Sequence, residues 1–181
     1  MLIQLSRLLI LSALVMPALP LSSVAEELPS PYAVEKVVMG QKAPEFTLKD
    51  MEGRPVSLSS YRGRAILLVF WASWCPTAGE QFASLNRLNA LYKDRGLAVI
   101  SVSTDKSLSA AKGFLAGHQA SFRTLHDGKL YVSKTLYKAF MIPMAFLIDR
   151  GGVVVKKRFG QQDWTEPEII ADIDALLASR P

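Results

Sequence analysis

The stretch Ala65-Ile66-Leu67-Leu68-Val69-Phe70-Trp71-Ala72-Ser73-Trp74-Cys75-Pro76 decides the fold. Its first seven residues are apolar without a break. A half-exposed strand alternates apolar with polar, so an unbroken run marks a strand covered on both faces, as in the middle of a largely parallel sheet. The next segment reads as a helix from about Pro76 to Asp94. Phe82, Leu85, Leu88 and Tyr92 recur there at three- and four-residue spacing and make one buried stripe, and Gly96 ends it. Pro76 suits the first helical position, because its missing N–H would have no partner there. Cys75 thus joins a buried strand to the helix that leaves it. The unpaired N–H groups and positive dipole of a helix start favour a thiolate, which is the nucleophilic form. A buried filler cysteine is the alternative reading. Against it stands the position, at the carboxyl end of a strand where α/β proteins bind their ligands.

Working outward, Phe46-Thr47-Leu48 and Val56-Ser57-Leu58 flank the turn Asp50-Met51-Glu52-Gly53 and predict an N-terminal β-hairpin. Leu97 to Val102 predicts a second buried strand. Ser107 to about Gly117 and Leu130 to about Phe140 predict two more helices. Ala145 to Ile148, the turn Asp149-Arg150-Gly151-Gly152 and Val153 to Phe159 predict a closing hairpin. A last helix is expected near Thr165 to Ala178, with Ile169, Ile173, Leu176 and Leu177 inward. Strand–helix alternation implies a parallel pair with a crossover, and the Gly-Gly turn adds an antiparallel edge. No internal repeat or second-domain linker interrupts the pattern.

The chain has 181 residues, half of them hydrophobic, enough for one domain with a core and too few for two. Its formal charge of +5 is scattered, and the densest run, Lys156-Lys157-Arg158, lies inside a strand. Nucleic-acid binding would call for a longer basic stripe with interleaved aromatics, so a mixed solvated surface is expected. No glycine-rich loop opens a helix, which argues against a nucleotide. His118 and His126 with one cysteine make no zinc spacing, so neither a metal nor any other cofactor is expected.

Residues 1–25 read as a secretory leader. Arg7 supplies charge, Leu8 to Val15 an apolar core, Pro17 and Pro20 a break, and Ser23-Val24-Ala25 a cleavage site. The apolar run is shorter than the ~20 residues of a membrane span, so membrane contact is expected only in transit. Residues 26–38 read as an irregular lead-in and 39–181 as the folded domain. The expected location is the periplasm. In such an oxidising space, structural cysteines come in pairs. A lone Cys75 can form no intramolecular disulfide and is either hidden or chemically employed.

Phe70-Trp71-Ala72-Ser73-Trp74-Cys75-Pro76 resembles the active-site segment of the TlpA-like periplasmic thiol–disulfide oxidoreductases, a redoxin (AhpC/TSA-type) branch of the thioredoxin superfamily. The similarity continues in Gly40-Gln41-Lys42-Ala43-Pro44-Glu45-Phe46, Leu58-Ser59-Ser60-Tyr61-Arg62-Gly63, Ile142-Pro143 and Phe146 to Gly152. The resemblance implies a thioredoxin-like α/β fold, a central mixed β-sheet flanked by helices with an N-terminal hairpin extension. It also implies a cis-proline at Pro143 facing Cys75, which would leave the backbone of Ile142 free to pair with an extended substrate. Trp71 and Trp74 would line the same surface, with core packing the alternative for each and better suited to Trp71 than to Trp74. Two positions depart from the family. Ala78 stands where the second cysteine belongs, and Gln81 where a proton-moving carboxylate often stands.

Thiol–disulfide exchange begins with a thiolate attacking a disulfide to give a mixed disulfide. Cys75 can perform that half, and release must come from an external thiol. Protein or small-molecule thiols and disulfides are therefore the expected partners. Two other readings compete: a redox-silent peptide-binding module, and a one-cysteine peroxidase. Peroxidases of this outer fold set threonine or serine three residues before the cysteine and proline seven before. Here those positions hold Ala72 and Leu68.

Overall fold

The computed structural model describes residues 39–178. The expected leader (1–25) and lead-in (26–38) lie outside the described residues. Seven strands form one mixed sheet: β1 (Thr47–Asp50), β2 (Pro55–Ser57), β3 (Ala65–Trp71), β4 (Leu97–Ser103), β5 (Arg123–His126), β6 (Met144–Ile148) and β7 (Val154–Phe159), in the spatial order β2-β1-β5-β4-β3-β6-β7. Among the described residues three α-helices flank it: α1 (Ala78–Tyr92), α2 (Leu108–Gly117) and α3 (Pro167–Ala178). This is a thioredoxin-like α/β fold whose N-terminal hairpin, β1-β2, extends the sheet at one edge through β1–β5 pairing.

The apolar run 65–71 forms β3, an interior strand between β4 and β6, and all seven residues are buried. Alternation divides it between two cores. Ala65, Leu67 and Val69 pack with Leu85, Leu88 and Tyr92 of α1, and with Trp164, Ile169 and Ile173 at α3. Ile66, Leu68 and Phe70 point the other way, into Phe46, Leu58, Val132, Tyr137 and Phe146. Tyr137 is closed in by Phe46, Phe70 and Phe146, with centroids 5.2–5.8 Å away, and its hydroxyl donates to the Pro44 carbonyl at 2.8 Å. Burial in this shell pushes the phenol up, well beyond its ordinary range.

The neighbours of β3 are not all parallel. It runs parallel to β4 but antiparallel to β6, so the expected parallel pair is present within a mixed sheet. The turn at Asp149–Gly152 forms as expected: Gly152 N–H donates to the Asp149 carbonyl at 2.9 Å, with Gly152 at a φ of 81°.

Two expectations need correction, and the structure adds one strand. Helix α1 begins at Ala78, with Thr77 as its N-cap, so Pro76 lies in the turn before the helix and not in its first position. The helix expected over 130–140 is only a six-residue π-type turn, Tyr131–Leu136. It is bounded by left-handed residues at Leu130 and Lys138, a backbone state that stops a regular helix. Strand β5 had no sequence signal. Its four residues, RTLH, form a strand because β1 and β4 bind it on both edges.

Candidate functional site

Because β3 and β4 are parallel, both end at one edge of the sheet. Met144 pairs with Phe70, so Pro143 stands one strand over from the end of β3, where the chain runs on to Cys75. The Ile142–Pro143 peptide is cis. Trp74 and Ile142 border one groove, so the loops holding Cys75 and Pro143 face the same surface. Neither the N–H nor the carbonyl of Ile142 has a hydrogen-bond partner among the described residues.

The loop 72–75 is held by a buried carboxylate. Asp105 is 3% exposed and accepts from the Ser73 N–H (3.0 and 3.2 Å), the Ser73 hydroxyl (2.7 Å) and the Ser103 hydroxyl (2.8 Å). Thr104 donates to the Trp71 carbonyl through both its N–H (2.8 Å) and its hydroxyl (3.0 Å), sealing the strand end. Sequence reasoning passed over Ser73, Asp105 and Thr77. A Thr-Asp pair just after an apolar strand was the available signal for the first two.

Cys75 is partly exposed and forms no disulfide. Its carbonyl accepts from the Ala78 N–H at 3.1 Å, which makes Cys75 to Ala78 a closed turn leading into α1. The nearest polar group recorded at the sulfur is the Thr77 hydroxyl, with Oγ1 3.4 Å from Sγ. An N-cap hydroxyl ordinarily accepts from the second or third helical N–H. Thr77 makes no such bond, and its oxygen serves the sulfur instead.

Behind the sulfur lies an apolar cluster of Trp71, Ala78 and Phe82, with Phe114 and Phe122 against it. Trp71 is fully buried, whereas Trp74 is 68% exposed. Ala78 and Gln81 are both buried, and neither polar atom of the Gln81 amide has a hydrogen-bond partner among the described residues. A buried unpaired amide costs about 1–3 kcal/mol.

His118 stacks on Phe114 at 4.2 Å. Its Nε2 lies 2.9 Å from where a Cβ at position 79 would stand, so a side chain there would displace the exposed His118 ring. His126 Nε2 lies 2.8 Å from the Asp105 carbonyl oxygen. Among the described residues no cluster of three His, Cys, Asp or Glu is placed to hold a metal, and no helix is long and apolar enough to cross a membrane. A wider depression of about 1050 Å³ opens by Leu97, Val99, Lys112 and Arg123. It opens toward the end of β4 opposite Cys75.

The fold and site define a thioredoxin-like domain with one cysteine, placed between the end of β3 and the start of α1. The Redoxin family model matches residues 39–177, and the chain belongs to that family, within the thioredoxin superfamily. It is 32% identical over 128 residues to the thiol-disulfide oxidoreductase ResA of a Bacillus cereus strain, spanning 71% of this chain and 73% of that one. The thioredoxin-like protein YneN of Bacillus subtilis (strain 168) is 31% identical over 138 residues, 75% of this chain and 79% of YneN. A crystal structure from Chlorobium tepidum, provisionally named a thiol:disulfide interchange protein DsbE, superposes with a TM-score of 0.74 at 34% identity. It covers 79% of this chain and 100% of its own. Relative to a two-cysteine site, this chain has Cys75 alone.

Proposed function

We propose that this protein is an exported thiol–disulfide exchange protein that works through Cys75 alone. The observation that carries the reading is the placement of the only cysteine: partly exposed, just past the carboxyl end of β3, with a hydroxyl against its sulfur and a groove bordered by the preceding Trp74. The leader-like segment ending at Ala25 supports export to the periplasm. In the reaction, the Cys75 thiolate attacks one sulfur of a substrate disulfide. A new S–S bond forms, the old one breaks, and the second substrate sulfur leaves with the electron pair and is protonated by water. Ala78 cannot resolve the adduct. An external thiolate attacks the substrate's sulfur and displaces Cys75 as thiolate, so the substrate exchanges one disulfide for another. Electrons pass through sulfur alone, and the step requires neither metal nor nucleotide. In this reading Trp74, Pro76, Ile142 and Pro143 shape the surface that presents the substrate.

The test is direct. Reduced protein incubated with a model disulfide at neutral pH should gain the mass of one half-disulfide, and Cys75→Ser should gain none. A folded wild-type protein that forms no adduct ends the proposal.

A second reading has its own support. Ala78 and a buried, neutral Gln81 occupy the positions that complete a redox cycle in relatives, as a peptide-docking module without chemistry would allow. Cys75→Ser in cells separates the two: retained function favours docking, and lost function favours exchange. The peroxidase reading draws nothing from the site, since Ala72 and Leu68 are buried apolar residues.

A further inference from the structure

The groove bordered by Trp74, the residue before Cys75, has a volume of about 570 Å³, within the ~300–1,000 Å³ range of small-ligand sites. Ser73, Trp74, Lys106, Lys134, Phe140 and Ile142 border it. Two features give it a chemical preference. The first is apolar exposure: Trp74, Phe140 and Met141 are 68%, 66% and 65% exposed, and they gather large apolar side chains around the free backbone of Ile142. Scattered single exposures are ordinary, but a contiguous patch at a groove marks an interaction surface.

The second is charge. Asp105 is the groove's only carboxylate, and it is buried and consumed by Ser73 and Ser103. Asp127, the sole acidic residue between positions 127 and 143, is likewise buried and accepts from the Ser133 N–H and hydroxyl, both at 2.7 Å. Lys106 and Lys134 are exposed, and their ammonium groups have no ion pair or hydrogen bond among the described residues. Lys129 and Lys138 add further positive charge on the same 127–143 segment. The rim is therefore cationic, without a counter-charge of its own.

Resting on the exchange reading above, we infer that the groove receives an extended segment of a partner protein bearing an apolar side chain and one or more aspartates or glutamates close to its reactive cysteine. The apolar side chain sits between Trp74 and Phe140, the backbone pairs at Ile142, and the carboxylates meet Lys106 and Lys134. Opposite charge raises the encounter rate and fixes the register of docking.

Two measurements test this. In the first, short peptides carry their cysteine as a disulfide with 2-thiopyridine. The Cys75 thiolate attacks the peptide sulfur, the S–S bond to the pyridine breaks, and pyridine-2-thiolate leaves with the electron pair, giving an optical signal. A peptide with leucine and glutamates flanking the cysteine should react about tenfold faster at low salt than its lysine counterpart. The advantage should shrink at high salt. Lys106→Glu/Lys134→Glu should reverse the order, and Phe140→Ser should remove the benefit of leucine over serine. In the second, fluorescence anisotropy follows the same labelled peptides, with serine for cysteine, binding to Cys75→Ser protein. The acidic apolar peptide should again bind about tenfold more tightly than the basic one.

Equal rates and affinities for the acidic and basic peptides overturn the inference. So does a charge-reversed variant, shown folded by circular dichroism, that keeps the wild-type order. Glutathione disulfide reacting as fast as the acidic apolar peptide overturns it too, because glutathione has carboxylates but no apolar side chain. If no peptide reacts with Cys75 yet the anisotropy order holds, docking stands and the exchange reading fails.

Discussion

The Oγ1 of Thr77 lies 3.4 Å from the Sγ of Cys75, and the same hydroxyl leaves the start of α1 uncapped. A group that could stabilise its own helix is turned toward the sulfur. Because the cap bond is already absent, removing the hydroxyl should disturb the sulfur more than the helix. Thr77→Val should slow alkylation of Cys75 by iodoacetamide about threefold to tenfold, the scale of one net hydrogen bond. Thr77→Ser should keep the wild-type rate, and both variants should melt close to wild type. A valine variant that alkylates at the wild-type rate removes Thr77 from the site.

Restoring the missing thiol should restore a cycle. Ala78 and Cys75 close one turn through a 3.1 Å backbone bond. The Cα atoms of such a turn lie under about 7 Å apart, close to the span of a disulfide. Ala78→Cys should give a disulfide with Cys75 on oxidation and accelerate insulin reduction by dithiothreitol at least tenfold over wild type. Overpacking position 78 should cost about 1–3 kcal/mol. Adding Gln81→Glu places a carboxyl where burial disfavours its charged form, and the double variant should turn over faster still.

Asp105 is predicted to hold the cysteine loop. It gathers hydrogen bonds from Ser73 and Ser103 at 3% exposure. Asp105→Ala leaves those buried donors without acceptors and should lower unfolding free energy by about 2–4 kcal/mol in urea titrations. Hydrogen exchange should rise selectively at residues 72–75.

The seam between β7 and α3 should be acid-labile. Lys156 and Arg158 both reach Asp172. Burial alone would raise that carboxyl, but the hydrogen bonds and charges of Lys156 and Arg158 outweigh it and hold Asp172 below its ordinary value. A lowered folded-state value means that the stabilisation is fully present above the unfolded carboxyl's pKa of about 3.9 and is lost as pH falls through the folded one. Stability should therefore drop below about pH 4. Asp172→Asn should flatten that part of the profile while costing about 1–3 kcal/mol at neutral pH, less than a fully buried pair because Asp172 is 22% exposed. Chemical denaturation across pH 3–7 checks both.

Pro76 and the 130–140 segment show where reading from sequence ends. The helical stripe Phe82-Leu85-Leu88-Tyr92 was legible because each residue needs only neighbours three and four positions away. The N-cap was not, because the Cys75–Ala78 turn competes locally with helix and wins by two residues. Leu130 to Phe140 has helical composition, yet Tyr137 is committed to a core with Phe46, Phe70 and Phe146, and the chain bends through left-handed residues around it.

By itself the sequence determined the buried strand 65–71, the turns and the cysteine at the strand's end. These follow from periodicity, turn-forming residues and the identity of side chains near in the chain. Tertiary structure alone decided that β5 is a strand, that Thr77 faces the sulfur and Asp105 ties down Ser73, and that Trp74 meets Phe140 and two unpaired lysines around one groove. Those facts depend on which distant segments share a desolvated surface, and that is set by how the sheet orders its strands.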